Sequence, residues 1–227
     1  MSTSIFKEFF ACCVGRWQTE RTYHYLTSLE VERSRTEFTV TPLTQAIKEK
    51  VLADNAYPNP DNLDDIPGFN LGFYTISEKG EEVSQNLNLL FVVKKEESGY
   101  LSGDYLRDRA YEENKPIISN FTFNQQTREL LMTTNYTRTV SVDSITLINP
   151  HLRIRRIINY QKPLGDAPLE IVTLVGFGVE IKETNGEGGI WTHEEVAPLA
   201  NFEAAAFNRS ATCLLYTSDA ADEEDSV

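Results

Sequence analysis

Apolar side chains in residues 4–14, SIFKEFFACCV, recur at Ile5, Phe9, Cys12 and Cys13, a spacing that places them on one face of a helix. From Trp17 onward the pattern changes to short runs rich in Thr, Tyr, Val, Ile and Phe, separated by turn residues about every ten to twelve positions. These runs predict strands over 17–26, 33–40, 70–76, 87–94, 100–110, 116–124, 129–137, 140–147, 152–160 and 170–183. Lys79-Gly80, Ser98-Gly99, Asn124-Gln125 and Asn149-Pro150 supply residues that tolerate or begin turns, so short hairpins are expected. Residues 41–68, with Pro42, Pro58, Pro60, Pro67 and an Asp/Asn cluster at 61–65, read as a helix and loop.

Consecutive strands without a helical crossover between them favour a sheet closed on itself, because closure removes the unpaired edges. The fold class expected is all-β: a lipocalin- or calycin-like antiparallel up-and-down barrel of about ten strands, with an N-terminal helix and a short helix near the barrel mouth. Such a barrel encloses room for about one small apolar or amphipathic ligand. The barrel is expected over 1–183 and a C-terminal extension, with a Gly-rich turn and Trp191, over 184–212. Residues 213–227, beginning Cys213-Leu-Leu-Tyr-Thr-Ser-Asp, read as a translated sequencing adapter, a non-native tail, or else as an acidic disordered tail. That tail holds Asp219, Asp222, Glu223, Glu224 and Asp225 and no base, so without it the formal charge moves from −13 to −8.

Composition narrows the function. With 227 residues, 41% apolar and 24% charged, the chain reads as globular. It has no apolar run of about 18 residues for a membrane span, and its first ten residues lack the features of a secretory signal. A charge of −13 argues against a duplex nucleic-acid partner, although a local basic pocket could serve a small anion. Cys12, Cys13 and Cys213 form no CxxC, and His24, His151 and His193 are scattered, so no metal centre is expected. No Ser/His/Asp set, phosphate-cradling glycine loop or HExxH occurs.

The informative segment is Ser141–Tyr160, SVDSITLINPHLRIRRIINY. Alternation puts Arg153 and Arg155 on one face of a strand and Leu152, Ile154 and Arg156 on the other. With the turn centred on Asn149, Asp143 falls opposite Arg155, and Arg153 lies one diagonal away, about 7–8 Å between backbones. Inside a barrel, charges of this kind need internal partners or a matching ligand, and a carboxylate suits the planar arginine fork. Alternation alone leaves open whether this face points inward or to solvent. Glu180, in GFGVEIKE, taken alone reads as a surface residue. Phe69, Phe73 and Tyr74 offer flat faces for a conjugated ligand or simply for the core.

The segment from Gly15-Arg-Trp17 through His24-Tyr-Leu26 resembles the opening motif of the S-type phycobiliprotein lyases, the CpcS/CpeS family. Gly99-x-Leu101, Arg109-x-Tyr111-x-Glu113-x-x-Pro116, Asn149-Pro150-His151-Leu152-Arg153-Ile154-Arg155 and Val179-Glu180-Ile181 are similar to further family elements in the same order. The resemblance implies a chromophore lyase: a barrel that binds an open-chain tetrapyrrole such as phycoerythrobilin or phycocyanobilin and attaches it through a thioether to a cysteine of an apo-phycobiliprotein subunit, typically β. The bilin would be substrate, with no permanently bound cofactor. By this resemblance Arg153 holds a bilin propionate with Arg155 beside it. Asp143, one methylene shorter than the family's glutamate, pairs with pyrrole N–H groups and supports protonation, and Glu180 shares that work. Phe73 stands where the family usually carries tryptophan and Ile157 where serine is common; Phe69 and Phe73 would contact the pigment. The resemblance further implies homo- or hetero-oligomers and a plastid location, or the cytoplasm for a cyanobacterial chain. A barrel that carries bilin or fatty acid without transferring it, or an assembly partner of another lyase subunit, would use the same pocket.

Overall fold

Every strand predicted from the alternating runs forms, and together they close. In the computed structural model, which describes residues 2–60, 62–108, 116–165 and 167–183, helix α1 (Ser2–Cys13) leads into β1 (Gly15–Tyr25) and β2 (Glu30–Pro42). Helix α2 (Gln45–Asp54) and a 3-10 turn (Leu63–Asp65) precede β3 (Gly68–Ser77), β4 (Glu82–Glu97) and β5 (Tyr100–Arg107). The circuit ends with β6 (Ile117–Asn124), β7 (Glu129–Asn135), β8 (Thr139–Asn149), β9 (Leu152–Gln161) and β10 (Val172–Lys182). Each strand pairs antiparallel with the next, and β1 pairs with β10 to close the barrel. The expected segments 184–212 and 213–227, with Trp191, His193 and Cys213, lie outside the described residues, as do Arg109, Tyr111 and Glu113. No described helix is long and apolar enough to cross a membrane.

One end of the barrel is filled by α1. Its buried stripe is Phe6, Phe9, Phe10 and Cys13, spaced i, i+3, i+4 and i+7, rather than the Ile5, Phe9, Cys12, Cys13 face expected from the sequence. The rotation brings three phenylalanines inward and leaves Ile5 36% exposed. Phe6 packs on Phe121 and Phe123, with centroids 5.5 and 4.9 Å apart, and Phe10 meets Phe91 at 4.9 Å. Each fully buried ring contributes about 1.5–3 kcal/mol relative to exposure, which explains why a 12-residue helix holds its place inside. Its last carbonyls are capped by side chains of the barrel. Trp17 Nε1 donates to Cys13 O at 2.8 Å, and Lys182 Nζ donates to Cys12 O at 2.8 Å.

The helix within the proline-rich segment 41–68 is α2. Thr44 Oγ1 accepts from the Ile47 N–H at its N-terminus. Val51 and Leu52 join Leu43, Leu90 and Leu106 in a second apolar cluster on the outer wall of β4 and β5.

Candidate functional site

The strands that lead away from the plug change character on their inner face. Along β1 the inward positions are Trp17, Thr19, Arg21 and Tyr23, and opposite them on β2 stand Phe38, Thr36 and Ser34. Along β9 they are Arg153, Arg155, Ile157 and Asn159. The face question left open by alternation is thereby settled: Arg153 is 3% exposed, whereas Arg156 turns outward to Ser144 and Glu129.

Two carboxylates meet these arginines. Glu180 lies directly opposite Arg153 in the β9–β10 ladder and accepts from its Nε. The other Glu180 oxygen accepts from Arg21 Nη2 at 3.1 Å. Glu180 is therefore wholly buried, not the surface residue that its isolated context suggested. Burial alone would raise its carboxyl, but the charges of Arg153, Arg21 and Arg155 outweigh that effect and hold it below the ordinary range. The Arg153 guanidinium lies 4.5 Å from the Trp17 ring centroid and 5.0 Å from that of Phe38, on the border between plug and pocket.

The second pair is bidentate. Arg155 Nε donates to Asp143 Oδ1 at 2.9 Å, and its Nη2 donates to Oδ2. The expected register is off by two residues: Asp143 stands opposite Ile157, and Arg155 opposite Ile145. The physical reason is a two-residue β8–β9 turn at Pro150-His151 rather than one centred on Asn149, with a bulge between Leu147 and Asn149 that takes back one position. The long arginine side chain spans the resulting diagonal. Both members of this pair are about one-fifth exposed, 20% for Arg155 and 18% for Asp143, so they face an accessible space that Glu180 does not.

Across the interior, Arg107 on β5 donates through Nη2 to Tyr136 Oη at 2.8 Å and to Thr134 Oγ1 at 3.4 Å. Its guanidinium lies 5.4 Å from the Tyr105 ring centroid and 5.5 Å from that of Tyr136. Tyr105 is 5% exposed, and burial pushes its phenol up to about 12. Cys13 is sealed beneath the site beside Arg153, its thiol pushed up by burial, so it is a poor nucleophile.

Of the sequence-predicted site residues, the barrel brings Asp143, Arg153, Arg155 and Glu180 together on one wall. Phe73 is only partly buried, at the edge of the aromatic floor. Phe69 is committed to the plug, with Phe10 at 5.7 Å and Phe91 at 6.0 Å, and is a floor residue rather than an open aromatic face. The sequence pattern does not mark Arg21, Trp17, Tyr105 or Arg107 as pocket residues. A signal for Arg21 existed in the pair Gly176 and Gly178. A Cβ at Gly178 would come within 2.9 Å of Arg21 Cγ and Thr19 Oγ1, and one at Gly176 within 2.8 Å of the Tyr23 ring. The glycines are the space into which β1 turns its large side chains.

A lipocalin-like barrel closed at one end by a phenylalanine plug and lined at the other by paired arginines defines a receptor for an anionic, partly apolar small molecule. The CpeS-like protein family model matches residues 5–183, and the chain belongs to that family. It is 59% identical over 179 residues to chromophore lyase CpcS/CpeS 1 of Synechococcus sp. (strain JA-3-3Ab), covering 79% of this chain and 97% of that protein. It is 23% identical to chromophore lyase CpcS/CpeS of Thermosynechococcus vestitus, over 67% of this chain and 82% of that one. The S-type phycobiliprotein lyase CPES from Guillardia theta shares the fold, with a TM-score of 0.63 at 17% identity over 80% of this chain and 94% of that one.

Proposed function

We propose that the protein is a chromophore lyase that holds an open-chain tetrapyrrole in the arginine-lined half of its barrel and attaches it to a cysteine of a phycobiliprotein subunit. The observation that carries this reading is the convergence of Arg21, Arg153 and Arg155 with Asp143 and Glu180 on one inner wall above an aromatic floor. A bilin is flat, conjugated and dicarboxylate, and it matches both parts of that surface.

In this mechanism Arg155 and Arg153 anchor propionate, and Phe73, partly buried at the edge of the aromatic floor, meets the ring system. Asp143 is oriented by its bidentate contact and faces the accessible space, so it receives the pyrrole N–H groups and steadies the protonated bilin. Glu180, with both oxygens on arginines and no exposure, acts as a positioning residue for Arg153 and Arg21; this place does not support the expected share in proton transfer. The acceptor thiol adds across the exocyclic ethylidene double bond of the A ring. Its sulfur bonds to the ethylidene carbon, the π pair shifts into the ring system, and the thiol proton ends on the bilin, so no oxidant is consumed. The nucleophile comes from the acceptor, in keeping with the sealed Cys13.

The test adds phycoerythrobilin or phycocyanobilin to the full chain, records absorption, then adds an apo-phycobiliprotein β subunit and reads zinc fluorescence on a denaturing gel. A shifted complex followed by a covalent band on the acceptor is expected. Asp143→Asn should retain the complex and lose about a hundredfold in transfer rate, the size of a general acid–base contribution. A shifted complex with no transfer by the wild-type chain would make the protein a carrier instead.

A further inference from the structure

The polar half of the barrel carries more positive charge than its internal pairs consume. In the buried stretch of the inner wall stand four arginines, Arg21, Arg107, Arg153 and Arg155, and two carboxylates, Asp143 and Glu180. Glu32 lies farther out and accepts from Tyr25. Both inner carboxylates are engaged by Arg21, Arg153 and Arg155. Arg107 makes no ion pair with a carboxylate among the described residues, although it is only 6% exposed. A guanidinium stays charged at any ordinary pH, and an isolated buried charge is costly.

Its surroundings are those of an incomplete anion receptor. Arg107 Nε is buried without a hydrogen-bond partner among the described residues, and so is Ser119 Oγ, which stands opposite Tyr105 on the neighbouring strand β6, diagonal to Arg107. The hydroxyls of Thr134 and Tyr136 hold one edge of the guanidinium through Nη2 and fix its direction. Its direct contacts are hydroxyls and aromatic faces, and the Asp143 carboxylate, which favours the cation's charge through space, is itself paired with Arg155. This set is built to accept a carboxylate: a charged donor with a free N–H, and a free hydroxyl one strand away.

The geometry points to Arg107, with Ser119 beside it, as a second carboxylate receptor that reads the other acidic arm of the ligand, across the barrel from the Arg153–Arg155 wall. The identity of that ligand rests on the bilin reading above. Four arginines less two carboxylates leave two positive charges, and a dicarboxylate brings two negative ones. Arg107 is thus a specificity residue: it favours dicarboxylates over their esters and over monoacids of the same shape.

The test measures binding of phycoerythrobilin against its dimethyl ester, and of parinaric acid, a fluorescent fatty acid, against its methyl ester. It uses the full chain with Arg107→Gln, Arg107→Met and Arg107→Lys, each checked for folding by circular dichroism and thermal melting. The neutral variants should bind the dicarboxylate phycoerythrobilin about tenfold or more weakly, as expected for loss of a charge-assisted hydrogen bond. Binding of the esters should be unchanged, and Arg107→Lys should recover part of the acid preference. Equal weakening of acid and ester, or no change in either, overturns the assignment. Arg107-dependent parinarate binding by a chain that ignores phycoerythrobilin would uphold the receptor and refute the bilin reading. A bilin bound with unchanged acid preference in the variants would do the reverse.

Discussion

The two halves of the barrel interior use the same strands for opposite purposes. Toward α1, the inner face is phenylalanine and leucine packed ring on ring, with Phe6, Phe91, Phe121 and Phe123 at 2% exposure or less. Toward the other end, the same strands carry arginine, aspartate, glutamate, tyrosine and serine, in places with unpartnered polar atoms. The first half is a complete structure whose stability needs no ligand. The second is fully paired at Arg153–Glu180, partly accessible at Arg155–Asp143, and unmatched at Arg107, a gradient that runs from architecture to recognition. Trp17 and Phe38 mark the boundary, where Arg153 rests on both rings.

The largest effects should come from one change in each half. Phe6→Ala removes a ring from the plug and should cost about 3–5 kcal/mol in denaturant unfolding, while the molecules that stay folded keep their bilin spectrum. Glu180→Gln leaves Arg153 and Arg21 without a counter-charge and should cost a similar amount, about 3–5 kcal/mol, but should also weaken bilin binding. Equal spectral loss in the two variants would mean that the halves are not functionally distinct. Glu180 also sets the acid limit. Its carboxyl is held low in the folded chain, so its contribution is present above the unfolded value of about 4.3. That contribution is lost as pH falls further, through the folded value. The Gln variant should therefore show a flatter stability profile below about pH 5.

Smaller changes sharpen the boundary. Gly178→Ala places a Cβ 2.9 Å from Arg21 Cγ and should cost about 1–3 kcal/mol by pushing Arg21 from Glu180. Its signature in binding titrations should resemble that of Glu180→Gln. Tyr105 must stay neutral in the folded barrel, so its contribution is complete below pH 10 and fades as pH rises toward 12. Tyr105→Phe should remove that alkaline decline in a pH series of thermal melts. Thr44→Ala, at the start of α2 on the outer wall, should cost only about 0.5–1 kcal/mol and leave pigment binding untouched.

Strand number, order and closure were legible because alternation and turn residues are local signals. Asp143, Arg153 and Arg155 stood out as charges in an otherwise apolar hairpin, but their face was not legible, since a two-residue period is symmetric between inside and outside. The register differs by two because the turn falls at Pro150-His151, which displaces the partner strand by three positions, and the bulge between Leu147 and Asn149 returns one. Glu180 looked superficial because its partner Arg21 is 159 residues away in sequence and comes adjacent only on closure of β1 against β10. Arg107 was hidden for the same reason, its partners Thr134 and Tyr136 lying two strands on. The helix face was misplaced by one position because Ile5 and Phe6 are both apolar and only the filled barrel end selects between them.

The most direct measurement is a crystal structure of the full chain with phycoerythrobilin. The tetrapyrrole should lie within the arginine-lined half, with propionates at Arg107 and at the Arg153–Arg155 wall, Asp143 at the pyrrole nitrogens, and the phenylalanine plug unmoved. Pigment seated on the outer wall, or in a cavity opened by displacement of α1, would contradict this placement.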